Sequence, residues 1–208
     1  MQETSLTFDN LNTANEAPSA PLDLFGQWMS EAEKARISYP NAMCVSTIAP
    51  HGKPSARIIL LKGYDEKGFV FYTNQKSRKA DALHSTPRAH LNFFWRELGK
   101  QINIEGAVEI VAPQEADEYF STRPRESQIG AWASQQSHTL DKRSTLISRI
   151  KQYEEKYKNV DIPRPPYWSG YRIVPETIEF WSEGDHRLHT RLLYSKTPNG
   201  WEKELLYP

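Results

Sequence analysis

Residues 55–79 read SARIILLKGYDEKGFVFYTNQKSRK, and this stretch decides the fold. Ser55–Lys62 is rich in β-branched and apolar residues and predicts a strand. Tyr64–Gly68 carries the Asp and Gly of a turn, and Phe69–Asn74 predicts a second strand close behind it. A short helix is expected from Ser77 to about His84, with Ser77 as its N-cap and Pro87 closing it.

The same rhythm extends outward. Residues 43–49 predict a strand that turns at His51–Pro54 into the quoted segment. Arg88–Trp95 and Gln101–Val111 predict a hairpin around Glu97–Lys100, a turn with no assigned role. Four or five strands with short connections argue for an antiparallel barrel or sandwich. Before them, Leu24, Phe25, Trp28, Met29 and Ala32 recur at helical spacing, predicting a helix from Pro21 or Leu22 that Pro40 ends. After them, Pro113–Thr122 predicts a helix broken at Arg123-Pro124-Arg125, then an apolar turn over Ser127–Ala133. Residues 141–158 predict an amphipathic helix with Leu146, Ile150 and Tyr153 on one face. Strands return at 168–181, 191–196 and 201–206, the last two joined by a turn at Thr197–Gly200. The expected fold class is mainly β with flanking helices (α+β). Residues 1–20 read as a disordered or loosely docked tail, and 21–208 as one domain with a helical insertion at about 113–166.

Composition excludes several functions. The 26 Lys and Arg balance 26 Asp and Glu, so the chain as a whole is no polyanion-coating protein, and no nucleic-acid partner is expected. Residues 1–20 hold Glu3, Asp9 and Glu16 and no Lys or Arg, so the remainder is slightly basic. The single cysteine, Cys44, allows no disulfide within the chain and no cysteine zinc site; inside an apolar strand it reads as a small buried hydrophobe. No apolar run approaches the roughly 18 residues of a spanning helix. No secretory signal is visible either, so a cytoplasmic protein without a membrane contact is expected.

Three clusters carry chemistry. Asn74–Lys79 ends a strand and opens a helix with Ser77, Arg78 and Lys79; cations there oppose the helix dipole unless an anion joins them, as a phosphate would. Arg123–Gln128 sets two guanidinium groups and Ser127 around a rigid turn, a combination suited to phosphate oxygens. Glu179–Arg191 places His186, His189, Arg187 and Arg191 after a Phe180-Trp181 strand end. No third ligand supports a metal at the two histidines, and the arginines repel a dication, so no metal is expected. No Gly-x-Gly-x-x-Gly, Walker-type loop or Gly-x-Ser-x-Gly occurs, so a nucleotide-sized ligand needs another solution. Three separated cationic clusters on one barrel suggest two anionic groups with a ring between them.

In their order and spacing, Arg57–Lys62, Phe71–Asn74 with Ser77–Lys79, Arg123–Trp132 with Gln136-Ser137, Phe180-Trp181 and Arg187–Arg191 resemble the pyridoxine/pyridoxamine 5′-phosphate oxidase family. The resemblance spans about Pro21–Pro208. It implies an antiparallel FMN-binding split β-barrel acting as a homodimer, with both flavin sites at the subunit interface. FMN would lie against Arg57, Ile58, Ile59, Leu60, Leu61 and Lys62, against Tyr72 and Thr73, and on Ser77, Arg78 and Lys79. Gln101, Gln136, Ser137, Trp181 and Arg191 would complete its site, some from each subunit. The substrate phosphate would fall to Lys62, Tyr119, Arg123 and Ser127. Arg187 and His189 would flank the pyridine ring as the catalytic pair, positioning and electrostatic first, proton transfer second.

The implied reaction is hydride transfer from C4′ of pyridoxine or pyridoxamine 5′-phosphate to flavin N5, giving pyridoxal 5′-phosphate. The amine yields an imine whose hydrolysis releases ammonia, and dioxygen leaves as hydrogen peroxide. Family members often carry a basic stretch before the first helix, which residues 1–20 lack. Two other readings stand beside this one. A related split-barrel flavin oxidase acting on another ring, of the phenazine-biosynthesis type, tends to lack the substrate-phosphate set, whereas Lys62, Arg123 and Ser127 are present here. A non-catalytic FMN- or haem-binding split-barrel protein has no need of Arg187-Leu188-His189.

Overall fold

The computed structural model describes residues 8–208; the first seven residues of the expected tail lie outside the described residues. The elements in order are α1 (Pro21–Lys34), β1 (Ala42–Ile48), β2 (Pro54–Leu60), β3 (Gly63–Asp65), β4 (Gly68–Asn74), α2 (Arg78–Ser85), β5 (Arg88–Trp95), β6 (Lys100–Ile110), α3 (Pro113–Ser121), α4 (Arg125–Ala133), α5 (Arg143–Lys156), β7 (Trp168–Ser182), β8 (Thr190–Thr197) and β9 (Gly200–Leu206). All strand pairs are antiparallel. The strand order is β2-β1-β5-β6-β7-β4-β3, with β8 added on β7 and β9 on β8. The two ends of this order are consecutive in the chain. There the Leu61 N–H donates to Asn41 O and the Lys62 N–H to Val70 O, so the sheet curls back on itself.

The expected strands form, and the departures have local causes. α1 ends six residues before Pro40. Ala35 caps it, Arg36 takes a left-handed backbone (φ 56°), and the Arg36 and Ile37 N–H groups donate to Glu33 O and Ala32 O. That is a Schellman closure, and Ile37 packs on the core beside it. Residues 127–133, expected as an apolar turn, belong to helix α4, which buries Gln128, Ile129 and Ala133. At nine residues the helix is too short for its period to stand out. The expected turn at Tyr64–Gly68 is tighter, because Gly63–Asp65 pairs with β4. Asp65 Oδ1 accepts the N–H groups of Lys67 (2.9 Å) and Gly68 (3.2 Å) to close it.

The core fills the curl of the sheet and is closed by α1. Phe25 meets Phe69, Phe93 and Tyr64 edge-on, and Trp28 meets Phe180 at 5.2 Å. Each such fully buried ring contributes on the order of 2–3 kcal/mol by area. Residues 8–20 run across this lid in two short 3-10 turns. Phe8 packs on Trp28 at 4.8 Å, Ala17 is buried, and Lys203 Nζ and the Tyr194 hydroxyl donate to the carbonyls of Ala17 and Pro18. A second, smaller cluster joins α3, α4 and α5 to the start of β7 through Phe120, Ile129, Tyr157, Ile162 and Trp168. No helix among the described residues is long and apolar enough to cross a membrane.

β7 carries Pro175 in mid-strand, which an ordinary central strand rejects. The register of β6 on β7 shifts there: Gly106 faces Pro175, Glu105 faces Thr177, and Glu176 bulges out unpaired in the ladder. The bulge needs Gly106, since a Cβ at that position would lie 1.9 Å from Val174 O. Gly106→Ala is therefore expected to cost about 1–3 kcal/mol, read as a lower thermal midpoint. An unchanged midpoint would contradict the close approach.

Candidate functional site

Two adjoining clefts open beside the β4–α2 junction. The first, of about 380 Å³, is lined by Ile59, Tyr72, Thr73, Asn74, Lys79, Arg123, Ser127, Gly130, Ala131, Ser134, Gln136 and Trp168. The second, of about 430 Å³, is lined by Lys53, Ser55, Arg57, Arg78, Lys79, Gln136 and Ser137 among others. Lys79 and Gln136 line both. The Asn74–Lys79 and Arg123–Gln128 clusters of the sequence thus meet in one place.

Lys79 is buried, and its ammonium is fully engaged by the chain. It donates to Thr73 Oγ1 (2.9 Å), Ser77 Oγ (3.3 Å) and Gln136 Oε1 (2.7 Å), while Thr73 donates to the same Gln136 oxygen at 3.1 Å. Ser77 occupies the expected N-cap position of α2, but its side chain makes no capping bond and faces Lys79 instead. Burial, and then the nearby Arg57 charge, pull the Lys79 pKa down to about 8. Arg57 spans β2 and β1, donating to Val45 O (3.0 Å), Thr47 Oγ1 (2.9 Å) and Ser55 Oγ (2.7 Å). Burial lowers its pKa as well, and Arg78 adds to that. Four cations (Lys53, Arg57, Arg78 and Lys79) face one cleft with no carboxylate among its lining residues. Such a donor set fits a phosphate monoester.

On the other wall the cleft holds a stack of flat groups. Tyr72 lies parallel to Tyr119 at 4.1 Å and to Trp168 at 5.2 Å. Gly170, its neighbour across the β4–β7 ladder, makes this possible, because a Cβ there would meet the Tyr72 ring at 2.8 Å. Burial and then Glu115 push the Tyr72 pKa up to about 12, so the phenol stays protonated. Arg123 lies over Trp168 at 4.8 Å and over Phe120 at 5.5 Å. Its Nη1 is buried and, among the described residues, has no hydrogen-bond partner. Such an orphaned buried guanidinium nitrogen is rare, and an anion in the cleft would satisfy it. Burial lowers the Arg123 pKa in the anion's absence.

The remaining expected site residues on β2 divide by exposure. Ile58 is exposed, Leu60 half-buried, Leu61 buried in the core, and the Lys62 side chain exposed. The Leu61 side chain is turned away into the core, and its backbone N–H and carbonyl are both paired with Asn41, so its expected place against the cofactor gains no free donor or acceptor here. The third cluster lies elsewhere. Gln101, Trp181 and Arg191 sit side by side in register on β6, β7 and β8. Glu179 accepts from Arg191 Nε at 2.7 Å and thereby raises its pKa. Arg191 Nη1 also donates to Tyr207 O at 3.0 Å. His189 packs on Trp181 at 4.6 Å, and its Nδ1 accepts the Gly184 N–H at 3.2 Å, which leaves the hydrogen of a neutral ring on Nε2. His186 and Arg187 both have left-handed backbones (φ 55° and 68°), an uncommon pair for non-glycine residues. Arg187 is exposed at the tip. Among the described residues no cluster of metal-ligating side chains forms. The first two clusters flank β7 near Ser169-Gly170 and the third sits near Trp181, about 35 Å further along the same strand. The sequence did not single out Trp168, Ser134 or Lys53 as cleft residues; Trp168 in particular reads as an ordinary core aromatic opening a strand.

Among solved structures, the chain resembles a pyridoxamine 5′-phosphate oxidase-related FMN-binding protein from Nostoc punctiforme, with TM-score 0.74 at 15% identity over 92% of this chain and all of that one. That likeness shows the FMN-binding split-barrel fold. The chain also resembles PhzG from Burkholderia lata 383, solved with tetrahydrophenazine-1-carboxylic acid, with TM-score 0.89 at 33% identity over 94% and 96% of the two chains. Residues 29–157 match the family described as pyridoxamine 5′-phosphate oxidase, and residues 168–208 match the pyridoxine 5′-phosphate oxidase C-terminal dimerisation region. Pyridoxine/pyridoxamine 5′-phosphate oxidase of Gluconobacter oxydans is 52% identical over 90% of this chain and 94% of its own. The enzyme of the same name from Sinorhizobium fredii is 45% identical over the whole of both. The chain belongs to the pyridoxine/pyridoxamine 5′-phosphate oxidase family: it is an FMN-dependent oxidase with a C-terminal dimerisation region.

The burial of Lys79 has a pH signature. The unfolded chain keeps this proton up to about 10.5 and the folded, ligand-free chain only to about 8, so between these values the unfolded state binds more protons. Stability should then rise with pH across that window relative to Lys79→Met, measured by urea unfolding of the ligand-free proteins. Parallel pH profiles for the two would contradict the assignment.

Proposed function

We propose that this enzyme oxidises pyridoxine 5′-phosphate and pyridoxamine 5′-phosphate to pyridoxal 5′-phosphate. The alcohol and dioxygen give aldehyde and hydrogen peroxide; the amine, dioxygen and water give aldehyde, ammonia and hydrogen peroxide. The observation that carries this reading is the orphaned Arg123 Nη1 in a cleft that adjoins a second cationic one, which makes two seats for two phosphates. When bound, FMN supplies a two-electron acceptor for the substrate and a route for those electrons to dioxygen.

The chain's own residues divide the remaining work. Arg78 and Ser137 seat the cofactor phosphate, while Arg57 and Lys79, whose hydrogen bonds are spent on the chain with Ser77 among the acceptors, contribute positive charge across the cleft. The strand Arg57–Lys62 with Tyr72, Thr73 and Gln136 borders the rest of the cofactor. Arg123, with Tyr119, Ser127 and Lys62, holds the substrate phosphate, a non-reacting group whose binding fixes the ring in place. Gln101, Trp181, Arg187, His189 and Arg191 reach the same site from a second copy of the chain, because β7 holds them apart from it within one copy. His189 offers an Nε2–H donor rather than a base, since its Nδ1 lone pair is taken by Gly184. Arg187 brings a fixed positive charge on a rigid left-handed turn. Both act on the reacting end of the substrate by orientation and field.

Oxygen uptake tests the reading. Both phosphorylated substrates should be consumed with equimolar hydrogen peroxide, and the unphosphorylated forms should need far higher concentrations. Equal use of both forms, or turnover only of a carboxylated multi-ring substrate, would move the enzyme to the phenazine-type reading. Sharing of the site has its own test. Arg123→Ala and Arg187→Ala homodimers should each turn over poorly at low substrate. Mixed dimers form one intact site, so remixing the two should restore up to about a quarter of normal activity by random pairing in a two-fold dimer. No recovery after verified exchange would place the whole site in one chain.

A further inference from the structure

A guanidinium in a protein is usually held by a carboxylate, which consumes its N–H groups. Arg123 has no carboxylate partner among the described residues, and its guanidinium carbon lies over the rings of Trp168 and Phe120 instead. A cation–π contact holds the group in place without consuming its N–H donors. The nearer ring is Trp168, itself fixed from three sides. Its backbone pairs with Asn74 at the end of β4, its carbonyl accepts from Arg164 Nη1 at 2.7 Å, and its ring lies within 8° of parallel to Tyr72. It is 6% exposed and lines the same cleft as Arg123 and Ser127.

We propose that Trp168 is a positioning residue for substrate: its indole face holds the Arg123 guanidinium in the orientation that leaves Nη1 free for the substrate phosphate. The same ring backs Tyr72, so one side chain sets the spacing between the cofactor wall and the substrate-phosphate seat. The inference rests on the assignment of Arg123 to that phosphate, and it makes Trp168, a residue no motif of the sequence singled out, a determinant of substrate affinity.

The test is steady-state kinetics of the FMN-loaded enzyme with pyridoxine 5′-phosphate for Trp168→Leu, Trp168→Phe, Arg123→Ala and the double variant Arg123→Ala/Trp168→Leu. Trp168→Leu should raise KM by roughly 3- to 30-fold, the range of a desolvated cation–π contact, with kcat unchanged. Trp168→Phe keeps a ring face and should recover most of the loss. In the Arg123→Ala background, Trp168→Leu should add nothing, because its effect runs through Arg123. If Arg123→Ala itself leaves KM unchanged, the phosphate assignment falls and the Trp168 proposal with it. If Arg123→Ala raises KM but Trp168→Leu does not, or if the two effects multiply in the double variant, only the Trp168 proposal is overturned. Should Trp168→Leu fold too poorly to assay, Trp168→Phe carries the test: a small KM increase that vanishes in the Arg123→Ala background supports the proposal, and one that persists there overturns it.

Discussion

The structure depends on one strand, β7. Its fifteen residues pair with β4 at one end, with β6 along most of the length and with β8 at the other end. Three ladders on one strand demand a change of direction, and the chain supplies it where Pro175 and the bulged Glu176 meet Gly106. Proline removes a ladder donor, glycine lets the carbonyl of Val174 approach, and together they turn an apparent strand-breaker into the bend of the barrel. Everything functional is hung on the two ends of this element. Ser169 and Gly170 back Thr73 and Tyr72 at one end, and Trp181 joins Gln101 and Arg191 at the other.

That arrangement has a consequence for assembly. On the proposed assignment, the two groups of site residues, about 35 Å apart along β7, meet in one flavin-sized site by coming from two copies of the chain. A family member whose residues 168–208 match a dimerisation region has a physical reason to be dimeric that is independent of burying apolar surface. On that assignment its site is divided along its longest strand. The two-fold symmetry that closes one site closes the other as well.

Much of this was legible in the sequence, and the failures have physical reasons. Period-two runs, short turns and proline punctuation mark the strands, because each pairs with a near neighbour or is bounded by Gly or Pro. The end of α1 was not legible from Pro40: Arg36, a residue without the usual glycine signature, closes the helix in a left-handed conformation. Helix α4 was hidden by its length. The cationic clusters were legible because phosphate sites concentrate unusual residues in short segments. Trp168 was not, since a stacking aromatic and a core aromatic have the same sequence signature and differ only in what lies across the ring. Gly170 likewise reads as strand-weakening until the Tyr72 ring is seen lying against it.

The two phosphate seats also differ in kind, and the difference follows from where each cation spends its donors. Lys79 and Arg57 give their hydrogen bonds to Thr73, Ser77, Gln136, Val45, Thr47 and Ser55, so they build the wall of the second cleft and contribute charge across it. The wall persists whether or not an anion is present, at the cost of a Lys79 proton held less tightly. Arg123 lies over two rings, and its Nη1 has no hydrogen-bond partner among the described residues. A seat made of committed donors suits a resident group that rarely leaves, whereas a seat with an uncommitted buried donor is under-satisfied until its ligand arrives. On the proposed assignment the first seat is the cofactor's and the second the substrate's, and the hydrogen bonding of this chain is consistent with that division.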